Sequence, residues 1–220
     1  MITITTPAGP QSLVSLSVLK EELGVVGTTD DALFTRWIAQ ESARIASALG
    51  RPDELGLATL TETIRLPGSN SAFHGDSWFS SQNYAPARPI VLERYPIVSV
   101  ISITLDGVLI DPSGYDLDGS RVYKTYSGCR VPWFGLSVTI VYTAGYDLPD
   151  NAPFDLAGAC IQLVSARKAG RGRDPGVRRE RVDGVGETVW HDPTIVEGIP
   201  GGMTEEVWNS IASYRSPLVT

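Results

Sequence analysis

The stretch that decides the fold is residues 142–183, which read YTAGYDLPDNAPFDLAGACIQLVSARKAGRGRDPGVRRERVD. It begins as the end of a strand and passes through a turn. We expect Asp150 or Asn151 to cap the helix that follows, with Pro153 in its first turn and an end near residue 169. The apolar positions of this helix recur at helical spacing: Leu156, Ala159, Cys160, Leu163 and Val164. The pattern predicts the most buried helix of the chain.

A basic segment follows this helix. Residues 167–183 carry seven basic and three acidic side chains, a charge of +4, and the whole chain carries −7. The remainder therefore carries −11. Because glycine and proline recur through residues 170–186, we predict an irregular loop there. Phosphate binding needs a broad cationic footprint, so one basic loop on an acidic body argues against wrapping DNA.

Two helices are predicted before the stretch. Ser15 or Ser17 caps a short helix, SLSVLKEELG, that stops at Gly24. A second helix is predicted over residues 31–49 and ends at Gly50. Its apolar face comprises Phe34, Trp37, Ile38, Ile45, Ala48 and Leu49. The short connection predicts that the two helices pack as a hairpin.

From residue 59 the sequence pattern changes to that of strands. TLTETIRLP alternates apolar and polar side chains, and ITLDGVLI reads as a hairpin with a two-residue turn at Asp106 and Gly107. Residues 67–89, rich in glycine and serine, form a predicted excursion between strands. After the basic loop, TEEVWNSIASYR predicts a last helix starting at Thr204, with Val207, Trp208, Ile211 and Ala212 buried.

These elements predict an α+β fold, in which a small bundle of about four helices receives an inserted antiparallel β-unit. Residues 1–58 are the N-terminal arm and helical hairpin, and residues 59–145 are the β-unit. Residues 146–220 hold the core helix, basic loop, C-terminal helix and tail, and complete the bundle with residues 15–50. With 42% apolar residues and no long apolar run, we expect a soluble globular protein.

Candidate catalytic groups are few. The chain has two histidines, His74 and His191, and neither has a second metal ligand at a useful spacing. The two cysteines are too few for a disulfide framework: Cys160 reads as core, and Cys129 follows a turn. Asp106, Asp111, Asp116 and Asp118 fall near predicted β-turns and read as turn formers, although Asp116 and Asp118 with Gly119 faintly suggest a calcium loop. We therefore predict no catalytic, metal or cofactor-binding residues, and no enzyme.

In its order and spacing of short motifs, the chain resembles the head–tail connector (adaptor, or head-completion) proteins of long-tailed phages and gene transfer agents. The resemblance spans nearly the whole chain. It is carried by SVLKEELG (17–24), DDAL (30–33), ARI (43–45), LGR (49–51), YTAGY (142–146), Leu148 and Pro149, Leu156 and Ala159, RDP (173–175), Glu187, Ile199 and Pro200, and Tyr214 and Arg215.

The resemblance implies a structural virion protein that forms a ring, of twelve subunits, between the portal and the stopper or tail-completion protein. Double-stranded DNA would pass through the channel without specific binding during genome ejection. The implied portal contact is Tyr214, Arg215, Ser216, Pro217 and Leu218. The implied neighbour or channel contact is Arg171, Arg173, Arg178, Arg179 and Arg181. Such a protein would be made in the host cytoplasm and reside at the head–tail interface of the virion, without membrane or cofactor.

Two other functions are compatible with the sequence. A tail-associated or surface binding module would use aromatic residues of the β-insert, Trp78, Phe79 and Tyr84, to stack a sugar or peptide. A small DNA-binding protein would use the arginine-rich loop, and its binding would depend steeply on salt.

Overall fold

The computed structural model describes residues 2–6, 9, 11–52, 55–66, 87–171, 179–182, 186–189 and 199–215. The chain divides into two compact units. The β unit comprises Met1–Gly9 and Gly56–Tyr146, and the helical unit comprises Pro10–Leu55 and Asp147–Thr220.

The helical unit holds four α-helices in its described part: α1 (Leu16–Glu22), α2 (Asp31–Ala48), α3 (Phe154–Ala169) and α4 (Glu205–Ile211). Of the two predicted candidates, Ser15 caps α1, since its side chain accepts a hydrogen bond from the Val18 amide. Thr204 caps α4 in the same way. A short 3-10 turn, Ala212–Tyr214, continues α4.

Helix α2 is the most buried of the four helices. It contributes eight buried residues and α3 contributes four, so the expectation that α3 is the most buried was wrong. The predicted apolar face of α2 is confirmed in full, because all six of its residues are buried. The reason for the error is that α3 is apolar on more than one side, whereas α2 confines its apolar residues to one face.

Helix α3 begins later than predicted. Pro153 is the N-cap residue, and no side chain caps the helix. One of the two candidate caps, Asn151, is used in the preceding turn, where its amide donates to the Asp147 carbonyl and its side chain donates to the Asp147 carboxylate at 3.1 Å. Local side-chain hydrogen bonding in a turn competes with helix capping, and here Asn151 bonds within the turn and does not cap the helix.

The β unit contains two antiparallel sheets. One has the order β1-β2-β9-β4-β5, and the other has β3-β7-β6 with β8 paired to β7. The strands are β1 (Ile2–Thr6), β2 (Ala58–Arg65), β3 (Ile90–Val91), β4 (Ile97–Leu105), β5 (Val108–Leu109), β6 (Tyr115–Asp118), β7 (Arg121–Tyr126), β8 (Cys129–Val131) and β9 (Ser137–Ala144). Strand β1, predicted as an extended arm, is extended and pairs with β2.

The predicted alternation of β2 is confirmed. One face of β2 and β9 is buried, and residues of both sheets form one core: Leu60, Ile90, Leu92, Ile103, Val122, Val138, Ile140, Tyr142 and Ala144. The opposite face carries threonine pairs, such as Thr63 with Thr139 at 3.1 Å. The hairpin turn at Asp106 and Gly107 is also confirmed, with positive φ at both residues and Leu105 paired to Val108.

Two local interpretations were wrong. The segment 170–186, predicted to be an irregular loop, contains strand β10 (Arg179–Val182), which pairs with β11 (Gly186–Val189). The many glycine and charged residues of this segment are typical of loops, yet four residues of it pair in an antiparallel ladder. Asp116 lies within strand β6 rather than in a turn, whereas Asp118 ends this strand directly before the turn at residues 119 and 120. Arg130 pairs with the two carboxylates at 2.6 and 3.8 Å.

The α+β class is therefore confirmed: four helices and antiparallel sheets make up the described chain. The arrangement of the helices as a small bundle stays a prediction. Of the predicted excursion at residues 67–89, residues 67–86 lie outside the described part of the chain.

Candidate assembly site

The C-terminal residues predicted to contact a partner lie at the end of the described chain. Tyr214 is half-buried, and its hydroxyl donates to the Asp155 carboxylate at 3.3 Å. Burial, together with that carboxylate, raises the pKa of the Tyr214 hydroxyl. Arg215 is exposed. Ser216, Pro217 and Leu218 lie outside the described residues.

Of the five arginines predicted to contact a neighbour or the channel, the structure describes the side chain of Arg171. Arg171 follows the end of α3, and its guanidinium pairs with Asp30 at 3.0 Å, with both groups largely exposed. Arg179 and Arg181 lie in β10, where the register places Arg181 opposite Glu187. Arg173 and Arg178 lie outside the described residues, as do the aromatic residues of the excursion and both histidines.

Two further basic residues of the same run hold α3 to its neighbours. Arg167 donates to Gln40 at 2.7 Å and to Glu41 at 3.2 Å, and its guanidinium lies 5.0 Å from the centre of the Trp37 ring. Lys168 donates to the Leu23 carbonyl at 3.4 Å. These cations complement the C-terminal end of α3 and serve internal packing, so they contribute less to any outer basic surface.

Sequence reasoning missed a clamp between α2 and the segment before α4. Arg44 donates to the carbonyls of Gly201 at 2.7 Å and Gly202 at 2.8 Å, and it pairs with Glu41 at 3.1 Å. Both glycines have positive φ, which turns their carbonyls toward the guanidinium fork without strain. The Gly-Gly pair was the available signal, but nothing in the sequence pointed to its partner.

An apolar groove runs between α1 and α3. It has a volume of about 620 Å³, and α3 lines it with Phe154, Ala157, Gly158 and Ile161. The opposite wall includes Val18 of α1. Phe154 is 94% exposed, which is unusual for a phenylalanine. The charged residues that line the groove, Glu22 and Asp150, are both acidic. The groove is a surface that a partner segment can fill.

The β unit also exposes apolar side chains near its hairpin turn. Val108, Leu109 and Leu136 are each exposed by two-thirds or more. Asp106 fixes this corner, because its carboxylate accepts the amides of Leu136 and Ser137, each at 2.8 Å. Exposed apolar residues of this kind are typical of surfaces that contact other proteins.

The described residues offer little for catalysis. Cys160 is buried, and burial raises the pKa of its thiol to about 11, so the thiolate that a nucleophile needs is scarce. Within the described ranges, no group of three or more His, Cys, Asp or Glu side chains is placed to hold a metal ion. No helix in the described part of the chain is long and apolar enough to span a membrane.

No protein-family model and no curated protein matches the chain. Two solved structures resemble it in fold. One is a chain of the neck of a native gene transfer agent (GTA) particle computed with C12 symmetry, and the other is from the neck of an empty GTA particle computed with C6 symmetry. Each shows a TM-score of 0.50 and 16% identity, and the match covers 100% of this chain and 97% of that chain. This likeness is one of fold, and it extends over the β unit as well as the helices.

Proposed function

We propose that the chain is a structural virion protein, a head–tail connector subunit that forms a ring between the portal and the stopper or tail-completion protein. The observation that carries the proposal is the whole-chain likeness in fold to chains from GTA necks, one of them computed with C12 symmetry. A twelve-fold ring is accordingly the assembly we propose. The resemblance in the order and spacing of sequence motifs supports the same function.

The charge distribution supports this function. A channel that carries DNA must not hold its phosphates, and like charge suppresses such contacts. The chain carries −7 overall. Of the basic run, Arg167 and Lys168 are engaged with α2 and α1, and Arg171 is paired with Asp30. These pairings make the arginine-rich segment a weaker DNA site than its composition indicates.

We also propose which residues make the assembly contacts. Residues 214–218 would contact the portal, and the basic residues Arg171, Arg173, Arg178, Arg179 and Arg181 would face a neighbouring subunit or the channel. The exposed arginine pairs can exchange partners at low cost, because exposed ion pairs contribute about 0–1 kcal/mol. Arg171 could therefore leave Asp30 for an acidic surface of the next subunit.

The deciding experiment mixes the purified chain, in excess, with portal complexes and images the product by cryo-electron microscopy. We expect an added ring of density at one end of the portal, with twelve subunits. A matched variant that ends at residue 213 should not add the ring, since it lacks the proposed portal contact. If the full chain adds no ring at high excess, the proposal is wrong.

A gel-retardation assay with double-stranded DNA at two salt concentrations provides the comparison with the DNA-binding alternative. We expect no retardation at moderate salt. Tight binding that weakens steeply with salt would favour the DNA-binding protein instead.

A further inference from the structure

The larger sheet of the β unit has two open edges. Its order is β1-β2-β9-β4-β5, so β1 forms one edge. The short strand β5 covers only one end of β4, where it pairs with Thr104 and Leu105. Within the described chain, no strand pairs with the outer side of β1 or with the outer side of β4 at residues 97–102.

Neither edge carries a charged residue. Strand β1 reads ITITT, and residues 97–102 of β4 read IVSVIS. All five residues of β1 are exposed, and Ile4, Val98 and Ile101 each expose more than half of their surface. Proteins usually protect an open edge with charges or proline, because its unpaired amides and carbonyls are a template for another strand. Two unprotected edges of high strand propensity therefore indicate strand partners.

The register places the two edges at the same level of the sheet. One row of directly paired residues crosses the sheet and comprises Ile4, Leu60, Tyr142 and Val100. A second row comprises Thr6, Thr59, Thr143 and Ser99. Strands β1 and β4 run in opposite directions, because three antiparallel pairings separate them. The two edges thus match in level and in direction.

Such a match suits a second copy of the chain. In a closed ring, each subunit is related to the next by a rotation without translation along the ring axis. With the strands along that axis, β1 of one copy comes beside β4 of the next, antiparallel and at the same level. Ile4 then lies beside Val100, which packs against the core of the β unit. This contact extends the apolar face from one copy to the next.

We propose that β1 of one subunit pairs with residues 99–102 of β4 in the next subunit, so that one sheet continues around the ring. The inference deepens the proposed function and rests on the ring described there. Beyond residue 102 the edge is occupied, since the Ile110 amide donates to the Ile103 carbonyl at 2.8 Å. The bulges of β4 after Ile97 and Val100 make the edge irregular, which favours one matching partner over indiscriminate pairing.

The test is a disulfide between the two edges. Thr6→Cys and Ser99→Cys are introduced together in a Cys129→Ser background, so that the exposed native thiol does not interfere. Within one subunit the two positions are three strands apart, roughly 14 Å, which is too far for a disulfide. Across the proposed boundary their Cβ atoms would be about 5 Å apart. A bond between these two positions must therefore join two subunits.

Oxidation is carried out on the chain mixed with portal complexes, and cryo-electron microscopy of the same sample shows whether rings are present. We expect covalent ladders of subunits that form roughly tenfold faster, or more, than in the control pair Thr6→Cys with Tyr126→Cys. Tyr126 is exposed on β7, in the other sheet. Rings that form ladders no faster than the control would overturn the inference and leave the proposed function intact, whereas the absence of rings would overturn both.

A charge on one edge provides a second test. Ile4→Lys should weaken ring addition to the portal by roughly tenfold or more, because pairing would place the ammonium group beside the apolar Val100. Val26→Lys is the matched control, since Val26 is 98% exposed in the connection between α1 and α2. Hydrogen exchange in β2 and β9 should match the wild type in both variants, which shows that the β unit is folded. Equal ring addition by the two folded variants would overturn the proposal, and if Ile4→Lys does not fold, the disulfide decides.

Discussion

Tyr142→Phe removes the hydroxyl at the centre of a buried polar network in the β unit. Tyr142 is fully buried, and its hydroxyl donates to the Glu62 carboxylate at 3.0 Å. The same oxygen accepts the Arg94 amide at 3.4 Å. Glu62 also accepts the Glu93 amide at 3.3 Å, so it keeps one partner after the change.

The expected cost follows from these bonds. A hydrogen bond to a charged group contributes about 1.5–3 kcal/mol, and a buried donor left without its acceptor costs about 1–3 kcal/mol. The Arg94 bond is long, so we take about 1 kcal/mol from its range and expect a total of about 2.5–4 kcal/mol. Since each 1.4 kcal/mol is a factor of ten, the opening equilibrium should rise roughly 60- to 700-fold.

Hydrogen–deuterium exchange of peptides from β9 measures this opening within the β unit itself. Tyr126→Phe is the matched control, because Tyr126 is 75% exposed on β7, and we expect a change below about 0.5 kcal/mol. If Tyr142→Phe accelerates exchange no more than this control, the network contributes nothing and the reasoning is refuted.

The pH dependence of the same variant gives a second check. Burial raises the pKa of Glu62, and the hydrogen bond from Tyr142 opposes that shift. Removing the bond raises the folded-state pKa of Glu62 further, so more stability is lost as the pH rises. Urea unfolding should therefore show a larger cost of Tyr142→Phe at pH 8 than at pH 4. A cost that is larger at pH 4 would contradict this assignment.

Three further predictions concern single side chains. In the wild type, the pKa of Glu62 is raised in the folded state, so Glu62 stabilises the fold below pH 4.5, the ordinary pKa of a glutamate, and this stabilisation is lost as the pH rises through the folded-state pKa. Glu62→Gln should remove this part of the pH dependence, which is measured as the difference in unfolding free energy between the two proteins across pH. Ellman's reagent at pH 8 should titrate one thiol, Cys129, in the native protein and two in denaturant, because burial raises the pKa of Cys160 to about 11; two fast thiols in the native protein would contradict its burial. Arg44→Ala should lower the unfolding free energy by about 1–2 kcal/mol and speed exchange in α4, whereas Arg36→Ala, on the exposed side of α2, should do neither.

Several elements could be predicted because their signals are local. The α2 face from Phe34 to Leu49 follows one helical stripe, and the Asp106 and Gly107 turn requires two residues that tolerate positive φ. Ser15 and Thr204 cap their helices through a bond within one turn. Such features depend on neighbours a few residues away, and the sequence contains all of them.

The errors arose where distant contacts decide. The start of α3 differs from the prediction because Asn151 bonds to Asp147. Arg167, counted with the basic segment, is bound instead to Glu41, which is far away in sequence, at 3.2 Å. Asp116 read as a turn residue, but it lies within β6, where Arg130 from β8 pairs with it at 2.6 Å. Charge counted along the chain cannot show which charges neutralise one another in space.

The sequence by itself determined the α+β class, most of the helix boundaries, the main hairpin and the acidic character of the chain. The tertiary structure alone decided that Gly201 and Gly202 receive Arg44, that Glu62 and Tyr142 share a buried hydrogen bond, and that α3 keeps an open second stripe. The physical reason is range. Capping, helical periodicity and turn conformation act over a few residues, whereas burial and ion pairing depend on which segments the fold brings together.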